Sequence, residues 1–135
     1  MMQNALSQYL MNLNSQELIL IGPFYQGPPI DSDHAIFVDA GAQFRKSNRG
    51  FSVGDGDSFD GPLDEKLSQI KDFSDLAYVF KCLPKKIRHV TLDGFLGGRP
   101  DHELMNLSEA HGLSNRGFGA LTLQCNQPVF VFKNA

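Results

Sequence analysis

Apolar residues recur along the chain in two rhythms. Leu6, Leu10 and Leu13, with Tyr9, are three and four apart, which predicts an amphipathic helix over Gln3 to Leu13. Leu18-Ile19-Leu20-Ile21 is instead an unbroken apolar run, the pattern of a strand buried on both faces, and Gly22-Pro23 stops it. Phe24 to Asp33, with Gly27-Pro28-Pro29, reads as a loop. Ala35 to Val38 is a second buried strand ending at Asp39-Ala40-Gly41-Ala42, and Phe51 to Val53 a third, shorter one. Leu63 to Ile70 is weakly helical, and Leu76 to Leu83 predicts a helix halted by Pro84. Ile87 to Leu92 is a fourth strand, ending at Asp93-Gly94. Pro100 suits the first turn of a helix carrying Leu104, Leu107 and Ala110 until Gly112 ends it. Phe118 to Cys125 and Val129 to Phe132, joined by Asn126-Gln127-Pro128, predict a C-terminal β hairpin.

Strands apolar on both faces, alternating with helices, define an α/β fold with a largely parallel sheet flanked by helices, Rossmann-like in plan. Ligands of such sheets bind beyond the carboxyl ends of the strands. Asp39, the pair Asp55 and Asp57, and Asp93-Gly94 each fall just past a predicted strand end, so scattered polar motifs should converge on one rim.

At 135 residues the chain supports one substantial core. A net charge of −3 argues against a general nucleic-acid or anionic-membrane surface, so an anionic ligand would have to be held locally, by metal or backbone. No apolar run approaches the roughly 20 residues of a membrane span. Met1 to Asn14 lacks the basic and apolar regions of a signal peptide, and the expected location is cytoplasmic. Cys82 and Cys125, far apart in apolar segments, read as reduced core thiols rather than a disulfide or metal pair.

Candidate chemistry centres on Gly54-Asp55-Gly56-Asp57-Ser58. On an extended chain the two carboxylates point the same way, and such a pair requires a proton, a basic side chain or a cation, with magnesium suited to oxygen ligands. The alternative is a solvated Asp/Gly turn. The spacing is not that of an EF-hand, whose glycine position would fall on Asp60 and whose twelfth ligand on Lys66. Asp72 and Asp75 sit at a predicted helix start, where capping competes with metal binding, and four carboxylates facing one cleft tip the balance toward one or two divalent cations. Gly97-Gly98 precedes a helix N-terminus, a generic anion site or a plain loop; Arg99 can clamp a phosphate or pair with Asp101, and His102 lies in the first turn. His34, His89 and His111 show no ligand spacing.

Four segments taken together resemble the ordered motifs of the thiamine pyrophosphokinases: Val38-Asp39-Ala40-Gly41-Ala42, Gly54-Asp55-Gly56-Asp57-Ser58, Lys71-Asp72-Phe73-Ser74-Asp75, and Gly97-Gly98-Arg99-Pro100-Asp101-His102 with Leu104 and Asn106. The similarity spans about Leu18 to Leu107; Ala40, Gly56 and Ser74 depart mildly from the family pattern, and Ala77-Tyr78 replaces a polar residue and a lysine of many members. The resemblance implies magnesium-dependent transfer of diphosphate from ATP to the hydroxyl of thiamine, releasing AMP. It assigns metal and catalytic roles to Asp55, Asp57, Asp72 and Asp75, and nucleotide binding to Asp39, Gly97, Gly98, Arg99, Asp101, His102 and Asn106. It implies a catalytic domain over residues 1–117, with 118–135 as the remnant or start of the family's second, β-sandwich domain, through which members dimerise; a homodimer is compatible with this. A related diphosphokinase acting on another acceptor, such as a hydroxymethyl pterin, and a catalytically silent magnesium- and nucleotide-binding module are the alternatives.

Overall fold

A computed structural model describes residues 4–57, 59–69, 73–124 and 127–132. Its elements in chain order are α1 (Ala5–Asn12), β1 (Glu17–Ile21), β2 (Ala35–Val38), a 3-10 helix (Asp39–Phe44), β3 (Phe51–Gly54), β4 (Glu65–Lys66), α2 (Asp75–Lys81), β5 (His89–Asp93), α3 (Pro100–Asn115), β6 (Gly119–Gln124) and β7 (Gln127–Phe132). The strands form one sheet in the order β4-β3-β2-β1-β5-β6-β7. All pairs are parallel except β6 with β7, the expected C-terminal hairpin, so the mixed α/β architecture with a mostly parallel sheet is as the apolar runs require. β6 and β7 extend this same sheet.

The chain lays strands outward from β1 on one side, then returns after α2 to place β5 on the other. That reversal beside β1 is the switch point at which open α/β sheets present a crevice. The three α-helices share one face, where Leu6, Leu10, Leu76, Val79, Phe80 and Leu113 pack on Leu18, Leu20, Ile36, Val53, Val90 and Leu92. Opposite, Ile21, Ala35, Phe37 and Tyr25 form a smaller core with Ile30 from the 24–33 loop and Phe44 from the 3-10 helix.

Two expectations are corrected. The weakly helical stretch Leu63 to Ile70 contains β4 instead; Ile70 lies outside the described residues. Its short pairing with β3 is supported by Glu65, whose Oε1 accepts from the Leu6 N–H at 2.8 Å and whose Oε2 accepts from the Tyr78 hydroxyl, tying β4 to α1 and α2. α3 also runs past Gly112 to Asn115, because Gly112 faces open space and the helix closes later. Gly117, at φ 98°, lets its N–H reach the Ser114 carbonyl and that of Phe118 the Leu113 carbonyl, the paired bonds of a Schellman stop. Among the described residues no helix is long and apolar enough to cross a membrane. Cys82 is a half-buried free thiol, and Cys125 lies outside the described residues.

Candidate active site at the strand ends

Beyond the carboxyl ends of β1, β2, β3 and β5 lies a cavity of about 910 Å³. Pro23 and Phe24 enter it from β1, Val38 and Asp39 from β2, Asp55 and Asp57 from β3, and Phe95 from β5. Phe73 to Leu76 at the start of α2, and His102, Met105, Asn106 and Glu109 along α3, complete most of the wall.

One carboxylate oxygen from each of Asp39, Asp55 and Asp75 lies within 4.8 Å of the other two, close enough for all three to ligate one ion. Backbone conformation makes this possible. Asp39 directly follows β2 with φ 48°, a left-handed setting that Asp and Asn adopt more readily than other side-chain-bearing residues, and it is only 8% exposed. Gly54 ends β3 against it: a Cβ there would stand 2.8 Å from the Asp39 Cα, so the glycine permits the close approach of the two strand ends. Asp75 opens α2 after Ser74, whose side chain caps the helix by accepting from the Ala77 N–H at 3.0 Å. The cap is thus Ser74 rather than Asp72, and Asp75, in the first turn, lines the cavity. Asp72 itself lies outside the described residues, as do Lys71 and Ser58.

Asp55 and Asp57 line the same cavity, but not from an extended chain. Gly56 has φ 80°, and the Asp57 N–H donates to the Asp55 Oδ1 at 2.9 Å, so the segment turns and only Asp55 of this pair joins the triad. The Gln69 side chain donates to the Asp55 carbonyl at 3.4 Å across the same loop. Further along, Asp64 anchors the chain: its Oδ2 accepts from Arg45 Nη1 at 2.8 Å and from the Ser52 N–H at 2.9 Å.

The glycine segment divides. His102 and Asn106 reach the cavity, and Asn106 Nδ2 donates to the Phe95 carbonyl at 3.0 Å, pinning the β5–α3 loop. Gly97, Gly98, Arg99 and Asp101 are not among its described lining residues. The Gly97 N–H donates to Glu103 Oε1 at 2.6 Å, so a side-chain carboxylate already occupies that donor. Arg99 pairs with Asp101 at 2.8 Å in the open. Desolvation pushes the Asp101 carboxyl up, but Arg99 and the His102 backbone together hold it below the usual carboxylate range. Gly98 packs beside Phe24, whose ring a Cβ would meet at 2.5 Å.

Sequence reasoning did not single out Phe24, Phe73, Met105 and Glu109 as site residues, because nothing in their spacing distinguishes cavity wall from core or surface. It placed Asp39 on the nucleotide side, whereas the geometry groups Asp39 with the carboxylates able to hold a metal. Compared with the known protein families and with curated proteins, the chain matches none.

Proposed function

We propose that the rim cavity holds a divalent cation, magnesium by preference for an all-oxygen ligand set, and that the chain is a diphosphotransferase of the thiamine pyrophosphokinase type. It would move diphosphate from ATP to the hydroxyl of thiamine and release AMP. The observation that carries the reading is the convergence of Asp39, Asp55 and Asp75 on one point at the sheet's switch region. These three carboxylates would hold the ion, with Asp57 beside them. When bound, the cation offsets charge on phosphate oxygens and orients them for in-line displacement.

The chain's own groups define what else can enter. The described lining residues include five carboxylates, Asp39, Asp55, Asp57, Asp75 and Glu109, and no lysine or arginine. Such a wall repels a bare polyphosphate, so nucleotide binding here requires the metal. Phe24, Phe73, Phe95 and Met105 supply an apolar wall for a ring. An acidic cavity with aromatic sides favours a cationic heteroaromatic alcohol, such as thiamine with its thiazolium, over a neutral pterin.

The test is to incubate the full chain with ATP, magnesium and either thiamine or a hydroxymethyl pterin and to follow AMP and the diphosphorylated product. Thiamine-dependent AMP release that Asp55→Asn abolishes is the expected result. Magnesium-dependent ATP binding without AMP release from any alcohol would replace the enzyme reading with the silent binding module. ATP affinity unchanged by a chelator would overturn the metal site itself.

A further inference from the structure

At the other end of the sheet, where the strands begin, a second cleft of about 480 Å³ lies between the loop that enters β1 and the loop that enters β5. Asn14, Ser15 and Gln16 line one side; Lys85, Lys86 and Arg88 line the other. The two loops are fastened together by the Gln16 carbonyl, which accepts from the Arg88 N–H at 2.7 Å and the His89 N–H at 3.2 Å. Lys86 is fixed as well: its Nζ donates to the Met11 carbonyl at 2.6 Å, in the last turn of α1, where helix carbonyls lack intrahelical donors.

The charge in this cleft is not balanced locally. Elsewhere Arg45 pairs with Asp64, Arg49 with Asp31 and Asp33, and Arg99 with Asp101. Among the described residues, the Lys85 and Arg88 side chains have neither an ion pair nor a hydrogen bond. Among the described residues the cleft is lined by no carboxylate, and Glu17, next in sequence to Gln16, is not part of its wall. Three cations on a fastened loop pair, in a chain whose net charge is −3, form a local positive field opposite an acidic rim. The side-chain amides of Asn14 and Gln16 add neutral donors to the same concavity.

We propose that this cleft is a binding site for a small, multiply charged oxyanion of the phosphate or pyrophosphate class, independent of the metal site at the opposite rim. Arg88 supplies a planar fork of donors suited to two oxygens of one phosphoryl group, and Lys85 and Lys86 supply point charges beside it. Asn14 and Gln16 then set the width of anion that fits.

The experiment is a titration of the full chain with inorganic pyrophosphate in metal-free, low-salt buffer, followed by amide NMR shifts and by calorimetry. The expected result is saturable binding with shifts concentrated at residues 14–16 and 85–89. The Lys85→Gln/Arg88→Gln double variant should lose at least tenfold in affinity, while Asp39→Asn retains wild-type affinity. Both altered positions are exposed, and the wild-type shift map reads out the location whether or not the variant folds. Absence of saturation, shifts scattered over all exposed lysines, or equal affinity in a folded double variant would overturn the proposal. So would binding of a nucleic-acid oligomer at this cleft that pyrophosphate does not displace.

Discussion

Replacing Asp39 by Asn isolates the electrostatics of the rim. The substitution keeps size and shape, and Asn tolerates φ 48° at least as well as Asp, so the backbone need not move. What changes is one of three negative charges whose nearest oxygens lie within 4.8 Å of one another. Unit charges at that separation repel by about 1 kcal/mol in water and by about 3.5 kcal/mol at an effective dielectric near 20. Removing one charge relieves two of the three repulsions. Because Asp55 and Asp75 are only partly buried, solvent screens them and the gain belongs near the lower limit, roughly 2 kcal/mol. In chelator, therefore, Asp39→Asn should be more stable than the wild type. Magnesium should reverse the order: at a hundredfold excess over its dissociation constant it stabilises a binding-competent protein by about 2.7 kcal/mol, and the variant should gain far less. For a domain of this size 1 kcal/mol moves Tm by roughly 3–5 °C, so thermal unfolding with chelator and with magnesium resolves the crossing. A variant less stable than wild type in chelator, or equal magnesium gains in both proteins, would refute the reasoning.

Three further outcomes follow from the packing. Glu65→Ala strips the Leu6 N–H and the Tyr78 hydroxyl of a shared acceptor and should cost about 2–3 kcal/mol by urea unfolding, against about 1 kcal/mol for Tyr78→Phe. Burial, and then Glu65, push the Tyr78 phenol well above its ordinary range, so its contribution is complete below about pH 10 and declines as pH rises further; Tyr78→Phe should flatten that alkaline loss. Asp93, 3% exposed, has its carboxyl raised by burial, so its favourable contribution is complete below about pH 3.9 and is lost as pH rises through the folded-state value. Asp93→Asn should accordingly raise the urea midpoint at pH 7 and leave it nearly unchanged at pH 3.

The strand ends were legible in the sequence because β1 and β2 are almost wholly apolar runs and β5 alternates Val90 and Leu92 with polar residues, and an aspartate that ends such a segment must sit on the sheet's rim. The hidden parts depend on contacts between distant residues. Glu65 and Lys66 pair for two residues only, too few for any periodicity, and the partners that stabilise β4 come from α1 and α2. Gly112 reads as a helix stop until the structure places it on an open face and gives the stop to Gly117. The composition of the triad depends on the positive φ of Asp39 and the turn at Gly56, which residue types permit but do not dictate. Likewise, Glu103 takes the Gly97 amide through a contact between the loop and α3 that no local pattern marks.

The strand order also governs the sequence of events during folding. β1 can gain β2 as a neighbour within about a dozen residues, but its other flank stays bare until β5 has been made, and Leu18 and Val90, paired across that seam, are separated by a very long loop. Closing such a loop is the slow step in parallel sheets. A chain emerging from the ribosome would therefore hold Asp39, Asp55 and Asp75 on an incomplete sheet, with the bare flank of β1 open to chaperones, until the half that begins at β5 docks. Because Asp39, Asp55 and Asp75 all precede β5, a cation held by them would act on the early half, before that docking.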